Sequence, residues 1–340
     1  MGRVAREDKG ISGFMSEPFL STVVPCYNEE ASLPELVRRL IAVCTSLAKS
    51  YEVILVNDGS RDATWMRMRE LAERDPHIVA VNLSRNHGHQ LALSAGLSLA
   101  RGQRILIIDA DLQDPPELLP KMLELMGQGA DVVYGQRKRR SGETLFKRAT
   151  AAIFYRVIDR MTDTRIPLDT GDFRLISRRA LDVLCAMPER HRFIRGMVSW
   201  IGFQQVPILY DREERFAGVT KYPFRKMLRF AIDAMTAFSV RPLALASLAG
   251  VITAGFSLLL LAYSIGSWVF GHTVAGWTSL LGGVALLGSV QLFVLGILGE
   301  YVGRLYEQAK GRPLFIIESI LRAPDGATSA TTPPRSPNMP

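Results

Sequence analysis

The sequence predicts an α/β fold built on a doubly wound, mostly parallel sheet, followed by an interfacial helix and a two-helix membrane hairpin. Three observations predict it. Five short Val/Ile-rich runs recur at a spacing of about 25 residues, nearly continuous in hydrophobicity, as strands buried on both faces are. Segments of helical periodicity lie between them, and strand–helix alternation of this kind gives a parallel sheet. Between Arg241 and Glu300 there are 58 residues with no Asp, Glu, Lys or Arg, far too long an uncharged run for a water-facing surface.

The elements follow in order. LSTVVPC (20–26), EVILVND (52–58), IVAVNLS (78–84), RILIIDAD (104–111) and DVVYGQR (131–137) are the strand-like runs. SLPELVRRLIAVCTSLA (32–48), DATWMRMRELAERD (62–75) and QLALSAGLSLARG (90–102) place apolar residues at helical spacing. A fourth helix opens at Pro115–Pro116 and closes at Gly127 or Gly129. The domain reading is a flexible extension at 1–17, a catalytic domain at 18–222, an interfacial helix at 223–242 and membrane helices at about 243–270 and 278–303. A cytoplasmic segment at 304–323 and a disordered Pro/Ser/Thr-rich tail at 324–340 complete it.

Composition narrows the classes. The 340 residues are 48% hydrophobic and 22% charged, which excludes collagen, coiled coil and wholesale disorder. The charged two-thirds exclude a many-span transporter. Net charge is +8, so phosphate-bearing substrates or anionic lipid are natural partners. Cys26, Cys44 and Cys185 are scattered and odd in number, against a disulfide framework or zinc knuckle and in keeping with a reducing cytoplasm. The charged N-terminus lacks the apolar core of a secretory signal.

Ligands of open α/β sheets bind beyond the carboxyl ends of the strands, and four polar clusters stand there: PCYNEE, NDGSRD, SRNHGHQ and DADLQD. Asp109 and Asp111, two residues apart after a buried strand, are costly together without a cation. A hard divalent ion, Mg²⁺ or Mn²⁺, shared with substrate phosphates fits them; the plain alternative is an acidic turn before a proline-led helix. Asp58 at a strand end can accept hydrogen bonds from a base or ribose, or cap the turn that follows. Tyr27 can pack on a base and Glu29 bond a ribose, or the segment simply starts a helix. His87 and His89 form H-x-H but lack a third nitrogen or thiolate ligand nearby in sequence, so loop hydrogen bonding or capping is preferred over zinc. Arg137 begins a basic run that grips phosphates or a membrane face, or is merely solvated. Asp172 follows a glycine before a helix-like stretch, and Arg190, Arg192 and Arg195 come soon after. No nucleic-acid-binding motif accompanies this charge, which sets nucleic acid aside as a partner.

Each apolar stretch exceeds the roughly 20 residues a bilayer crossing needs. The link around GHTVAGW holds no Lys or Arg, whereas Lys221, Arg225, Lys226, Arg229 and Arg241 precede the hairpin and Arg304, Lys310 and Arg312 follow it. The positive-inside rule places both flanks in the cytoplasm. PFRKMLRFAIDAMTAFSV (223–240) mixes basic and apolar residues as a helix lying on a membrane does. Gly282–Gly283, Gly296 and Gly299 permit close helix packing, within one chain or in a homo-oligomer.

Taken together, PCYNEE, NDGSRD, NHGHQLALSAGL, DADLQDPPE, GQR, TGDFRLISRR, RHRFIRG and a loop containing Lys221 resemble glycosyltransferase family 2. The likeness is greatest to its polyprenyl-phosphate glycosyltransferases of the GtrB type, with dolichol-phosphate mannose synthase more distant, and it covers about residues 20–315. The resemblance implies a GT-A fold and transfer of one sugar from a nucleotide-sugar, UDP-glucose foremost, to a polyprenyl phosphate, undecaprenyl phosphate foremost. It implies an enzyme of the inner membrane whose catalytic domain faces the cytoplasm. Pro25, Tyr27, Glu29 and Asp58 would bind the nucleoside. Asp109 and Asp111 would lie at the diphosphate and metal, with Gln113 completing the metal site. Arg195 and Lys221 would contact phosphates, and Asp172 matches a position expected of a catalytic base. Other sugars, and a non-catalytic nucleotide-sugar sensor or scaffold, are the rival readings.

Overall fold

The computed structural model describes residues 17–137, 170–190, 192–211, 241–270 and 276–322. Strands β1 (Leu20–Cys26), β2 (Tyr51–Asn57), β3 (Ile78–Leu83), β4 (Arg104–Ile107) and β5 (Val132–Arg137) fall on the five apolar runs. Between them stand α1 (Leu33–Ser46), α2 (Thr64–Arg74), α3 (His89–Leu99) and α4 (Leu119–Gly127), the last entered through a 3₁₀ turn at Pro116–Leu118. Two further strands, β6 (Thr170–Ser177) and β7 (Gln205–Tyr210), flank α5 (Arg178–Ala186) and α6 (Ile194–Ile201). Then come α7 (Arg241–Val269), α8 (Trp277–Ala309) and a final strand, β8 (Ile317–Arg322).

All eight strands form one sheet in the order β7-β5-β6-β4-β1-β2-β3-β8. The centre is parallel, and β6 and β8 run against their neighbours. Every residue of β1 is buried, as expected for a strand covered on both faces. On one side α1 sets down Leu33, Leu36, Val37, Leu40 and Cys44, the i, i+3, i+4, i+7 stripe that makes it a core helix. A fully buried Leu of this kind contributes about 1.5–3 kcal/mol. On the other side α3 lies so close that a Cβ at Gly96 would stand 2.4 Å from Val23 Cγ1 and 2.9 Å from Val56 Cγ2. The buried carboxylate of Glu52 is fully engaged, accepting from Ser21 Oγ at 2.6 Å and from the Arg101 amide at 2.8 Å.

Three strands were not anticipated: β6, β7, which pairs parallel with β5, and β8. β6 is an antiparallel insertion between β4 and β5, with Ile107 opposite Arg174. Its start therefore lies at the rim where β4 ends, which places Asp172 beside Asp109. β8 lies within the segment taken as a cytoplasmic connection and pairs antiparallel with β3. The chain thus returns from the two long apolar helices to close the sheet edge.

The helices α7 and α8 hold spans, Leu243–Tyr263 and Gly282–Ala309, long and apolar enough to cross a bilayer. Most of their described apolar side chains are exposed, Leu259 and Leu292 each by 71%, which in water would be a large apolar patch. The far end of α8 is bonded to the catalytic domain. Gln308 donates to the Pro188 carbonyl at 2.8 Å and accepts from the Arg190 amide at 3.3 Å, and Arg190 also donates to the Arg312 carbonyl. The expected interfacial helix at 223–242 falls outside the described residues except for its last two, which begin α7. The extension before residue 17, the tail from 324 and the basic run after Arg137 also lie outside them.

Candidate active site

The loops after β1 and β2 are knitted together by side chains that cap backbone. Asn28 Oδ1 accepts from the Arg61 amide at 2.8 Å, Glu30 accepts from the Ala63 amide at 2.8 Å, and Ser60 Oγ accepts from the Asn28 amide at 3.0 Å. Asn28 adopts φ 56°, in the left-handed region that Asn tolerates. Glu29 accepts from Ser32 Oγ at 2.6 Å at the start of α1 and also lines the cavity.

Asp58 is 2% exposed and lies behind the cavity lining. One of its oxygens accepts from the His87 amide at 2.7 Å and the other from the Gly88 amide at 2.9 Å. Burial raises its pKa and these two bonds lower it, with burial prevailing. The carboxylate thereby fixes the turn that opens α3. Gly59, at φ +65°, lets that turn form; a Cβ there would lie 2.5 Å from the Asn86 amide.

The rim encloses a cavity of about 540 Å³. Pro25, Tyr27 and Glu29 line one wall, His87, Gly88, His89 and Gln90 another, and Asp109, Asp111, Asp172 and Arg195 the floor. Tyr27 is 43% exposed, a ring face open to stacking. Gln113 is buried outside this lining. Arg137 ends β5 opposite Tyr210 of β7, and Lys221 lies outside the described residues.

Asp172 is the electrostatic centre. It is 1% exposed. Its Oδ1 accepts from Arg195 Nε at 2.8 Å, and its Oδ2 meets His89 Nε2 at 3.0 Å and Gln90 Nε2 at 3.1 Å. The buried Arg174 guanidinium stands 3.9 Å away. Burial alone would raise the Asp172 pKa, but Arg195, His89 and Arg174 hold it far below the carboxylate range. So strongly paired a carboxylate is a weak proton acceptor, which sits poorly with a catalytic base and well with an anchor for Arg195. His89 feels burial in the opposite sense. The Asp172 bond and the charges of Asp109 and Asp172 outweigh it, and its pKa rises to about 9.

His89, Asp109 and Asp172 bring their ligand atoms within 4.8 Å of one another. Asp109 is the strained member. Burial, and then the neighbouring acids, raise its pKa to about 6 against the pull of His89. Its Oδ1 is buried, makes no hydrogen bond among the described residues, and lies 3.5 Å from His89 Nε2. An orphaned buried carboxylate oxygen with a second acid, Asp111, on the same cavity fits a hard divalent cation. Asp172, already taken by Arg195, His89 and Gln90, has little left to offer one.

Sequence reasoning passed over His89 and Gln90 as site residues. The H-x-H signal was visible, but its acidic partners lie 20 and 83 residues further along the chain. The β4–β6 register brings Asp109 and Asp172 side by side, and α3 delivers His89 and Gln90 to them.

Comparison with known proteins gives a consistent picture. A family profile described as glycosyl transferase family 2 matches residues 21–185. The uncharacterized glycosyltransferase YkcC of Bacillus subtilis is 46% identical over 88% of this chain and 93% of that protein. A bactoprenol glucosyl transferase of Shigella phage SfV is 39% identical over 88% of this chain and 98% of that protein. A solved mannosyl-3-phosphoglycerate synthase from Rubrobacter xylanophilus is 18% identical, with a TM-score of 0.45 over 65% of this chain and 72% of that one.

Proposed function

The chain belongs to glycosyltransferase family 2, and on that premise we propose that it transfers glucose from UDP-glucose to undecaprenyl phosphate at the cytoplasmic face of the membrane. The observation that carries the reading is the convergence of Asp109, Asp111, Asp172 and Arg195 on one cavity, in a chain whose relatives across 88% of its length include bactoprenol glucosyl transferases. Tyr27 and Glu29 are the groups for the nucleoside. Asp109 and Asp111 are those for a divalent cation, Mg²⁺ or Mn²⁺, which when bound neutralises charge on the departing diphosphate.

The acceptor chemistry suits these residues. A phosphate monoester has a second pKa near 6, so the nucleophile is largely dianionic at neutral pH and needs no strong base. Arg195, held by Asp172, is placed to orient an anionic headgroup or stabilise the leaving group. In-line attack of the phosphate oxygen on the anomeric carbon breaks the bond to UDP and inverts the centre, giving a β-linked lipid phosphosugar. The charged headgroup must reach the rim while its tail stays in the bilayer. The bonds from Gln308 to Pro188 and Arg190 support this geometry, because they fasten the end of α8 to the catalytic domain. The basic residues after α8 favour the cytoplasmic side for both.

The test is transfer by purified protein in detergent, with undecaprenyl phosphate, a divalent cation and a panel of radiolabelled nucleotide-sugars. Label entering the lipid phase from UDP-glucose alone supports the full reading. Transfer from a different donor replaces glucose and keeps the reaction class. No transfer from any donor overturns it.

A further inference from the structure

Gln90 occupies a position that the reaction as described leaves unexplained. Its side-chain amide is used at both ends. Nε2 donates to Asp172 Oδ2 at 3.1 Å, and Oε1 accepts from the Ile194 amide at 2.8 Å. Ile194 opens α6, and its N–H is one of the helix-start donors that has no partner within the helix. The N-cap residue, Phe193, supplies no side-chain acceptor. Gln90, from α3 and 104 residues away in sequence, therefore caps α6 in place of a local residue.

The next residue, Arg195, turns back and donates to Asp172 Oδ1 at 2.8 Å. A closed ring results: Asp172 to Arg195, along the backbone to Ile194, across to Gln90, and back to Asp172. The ring admits one orientation of the amide. Flipping it would aim –NH₂ at the Ile194 N–H and a carbonyl at a carboxylate. The glutamine amide offers a donor and an acceptor in one planar group at any pH. Glutamate would set acid against acid at Asp172.

Resting on the transferase reading above, we infer that Gln90 is a positioning residue for the Asp172–Arg195 pair: it fixes the start of α6 so that the Arg195 guanidinium faces the cavity in a single placement. It acts by holding the geometry of a charged group. Its loss is therefore felt in turnover more than in donor binding.

Gln90→Met and Gln90→Glu test this in the full-length protein, with two readouts. In the transfer assay Gln90→Met should lower kcat roughly 10- to 100-fold, the worth of a lost charge-assisted bond, and change the donor KM by less than about 3-fold. Gln90→Glu should be equally impaired at pH 8 and regain part of its activity relative to wild type at the same pH towards pH 6, where the protonated carboxyl donates to Asp172 again. Independently of activity, hydrogen–deuterium exchange of a peptide covering 192–201 should be at least about 10-fold faster in Gln90→Met, because the Ile194 amide loses its acceptor. Wild-type kcat in both variants, or unchanged exchange in a folded Gln90→Met protein, overturns the inference. Should the wild-type protein itself transfer no sugar, the transferase reading fails, and the exchange result alone decides whether Gln90 holds α6.

Discussion

Replacing Asp172 by Asn perturbs the most tightly held charge in the site. The carboxylate is buried and receives Arg195 at 2.8 Å, His89 at 3.0 Å and Gln90 at 3.1 Å. An Asn side chain keeps one carbonyl. If that oxygen faces Arg195, the –NH₂ group opposes the Gln90 amide, donor against donor. If it is flipped, Arg195 Nε loses its carboxylate acceptor, and Arg195 Nη1 keeps the Thr170 carbonyl. Either way Arg174 and Arg195 stay near each other with their shared counter-charge removed. Breaking a buried pair by deleting one partner costs about 3–5 kcal/mol. For a domain of this size 1 kcal/mol shifts the melting temperature by roughly 2–4 °C, so a fall of about 6–20 °C is expected. Asp111→Asn, on the same cavity but outside this network, should lose about 1 kcal/mol or less. Differential scanning fluorimetry of both variants in the same detergent measures the contrast. An Asp172→Asn protein melting within about 2 °C of wild type would refute the claim that Asp172 organises the site.

Two further outcomes follow from the same geometry. His89 has a pKa raised to about 9, above its usual ~6.5. Its attraction to Asp172 and Asp109 therefore stabilises the metal-free fold fully below about pH 6.5 and is lost as pH rises through about 9. The urea midpoint of metal-free protein should decline over that window, and His89→Gln should flatten the decline; an equally steep profile in the variant would contradict the assignment. Gly96→Val would drive methyl groups into Val23 and Val56, where even a Cβ stands at 2.4 and 2.9 Å. Overpacking of this kind costs about 1–3 kcal/mol, seen as a lower denaturation midpoint.

What the sequence disclosed and what it hid divide on physical lines. β1 to β5 were legible because a strand covered on both faces must be apolar almost throughout, and those runs end within a few residues of the observed strands. β6 was hidden because Asp172 and Arg174 interrupt its apolar residues; both are buried, Arg174 near Asp172 and Asp172 also paired with Arg195. A strand carrying a paired charge does not read as a strand in a single sequence. β8 was hidden for another reason: Ile317–Arg322 alternates half-buried and exposed residues, the pattern of an edge strand, and two long apolar helices lie between it and its partner β3 in the chain.

The site divides similarly. Asp109 and Asp111 announced themselves by type and spacing at a strand end. Tyr27, Glu29, Asp172 and Arg195 join them on the cavity, whereas Asp58 and Gln113 sit behind it. His89 and Gln90 act through partners far along the chain, and no local pattern could reveal that.

The most direct test of the central claim is the sugar-transfer assay itself, run on wild type and on Asp111→Asn with undecaprenyl phosphate, UDP-[¹⁴C]glucose and Mg²⁺ or Mn²⁺. The account predicts label in the lipid phase with wild type, abolished by chelation of the cation and by Asp111→Asn while the variant's melting temperature is retained. Label in the lipid phase undiminished in Asp111→Asn, or none from any nucleotide-sugar with wild type, would contradict it.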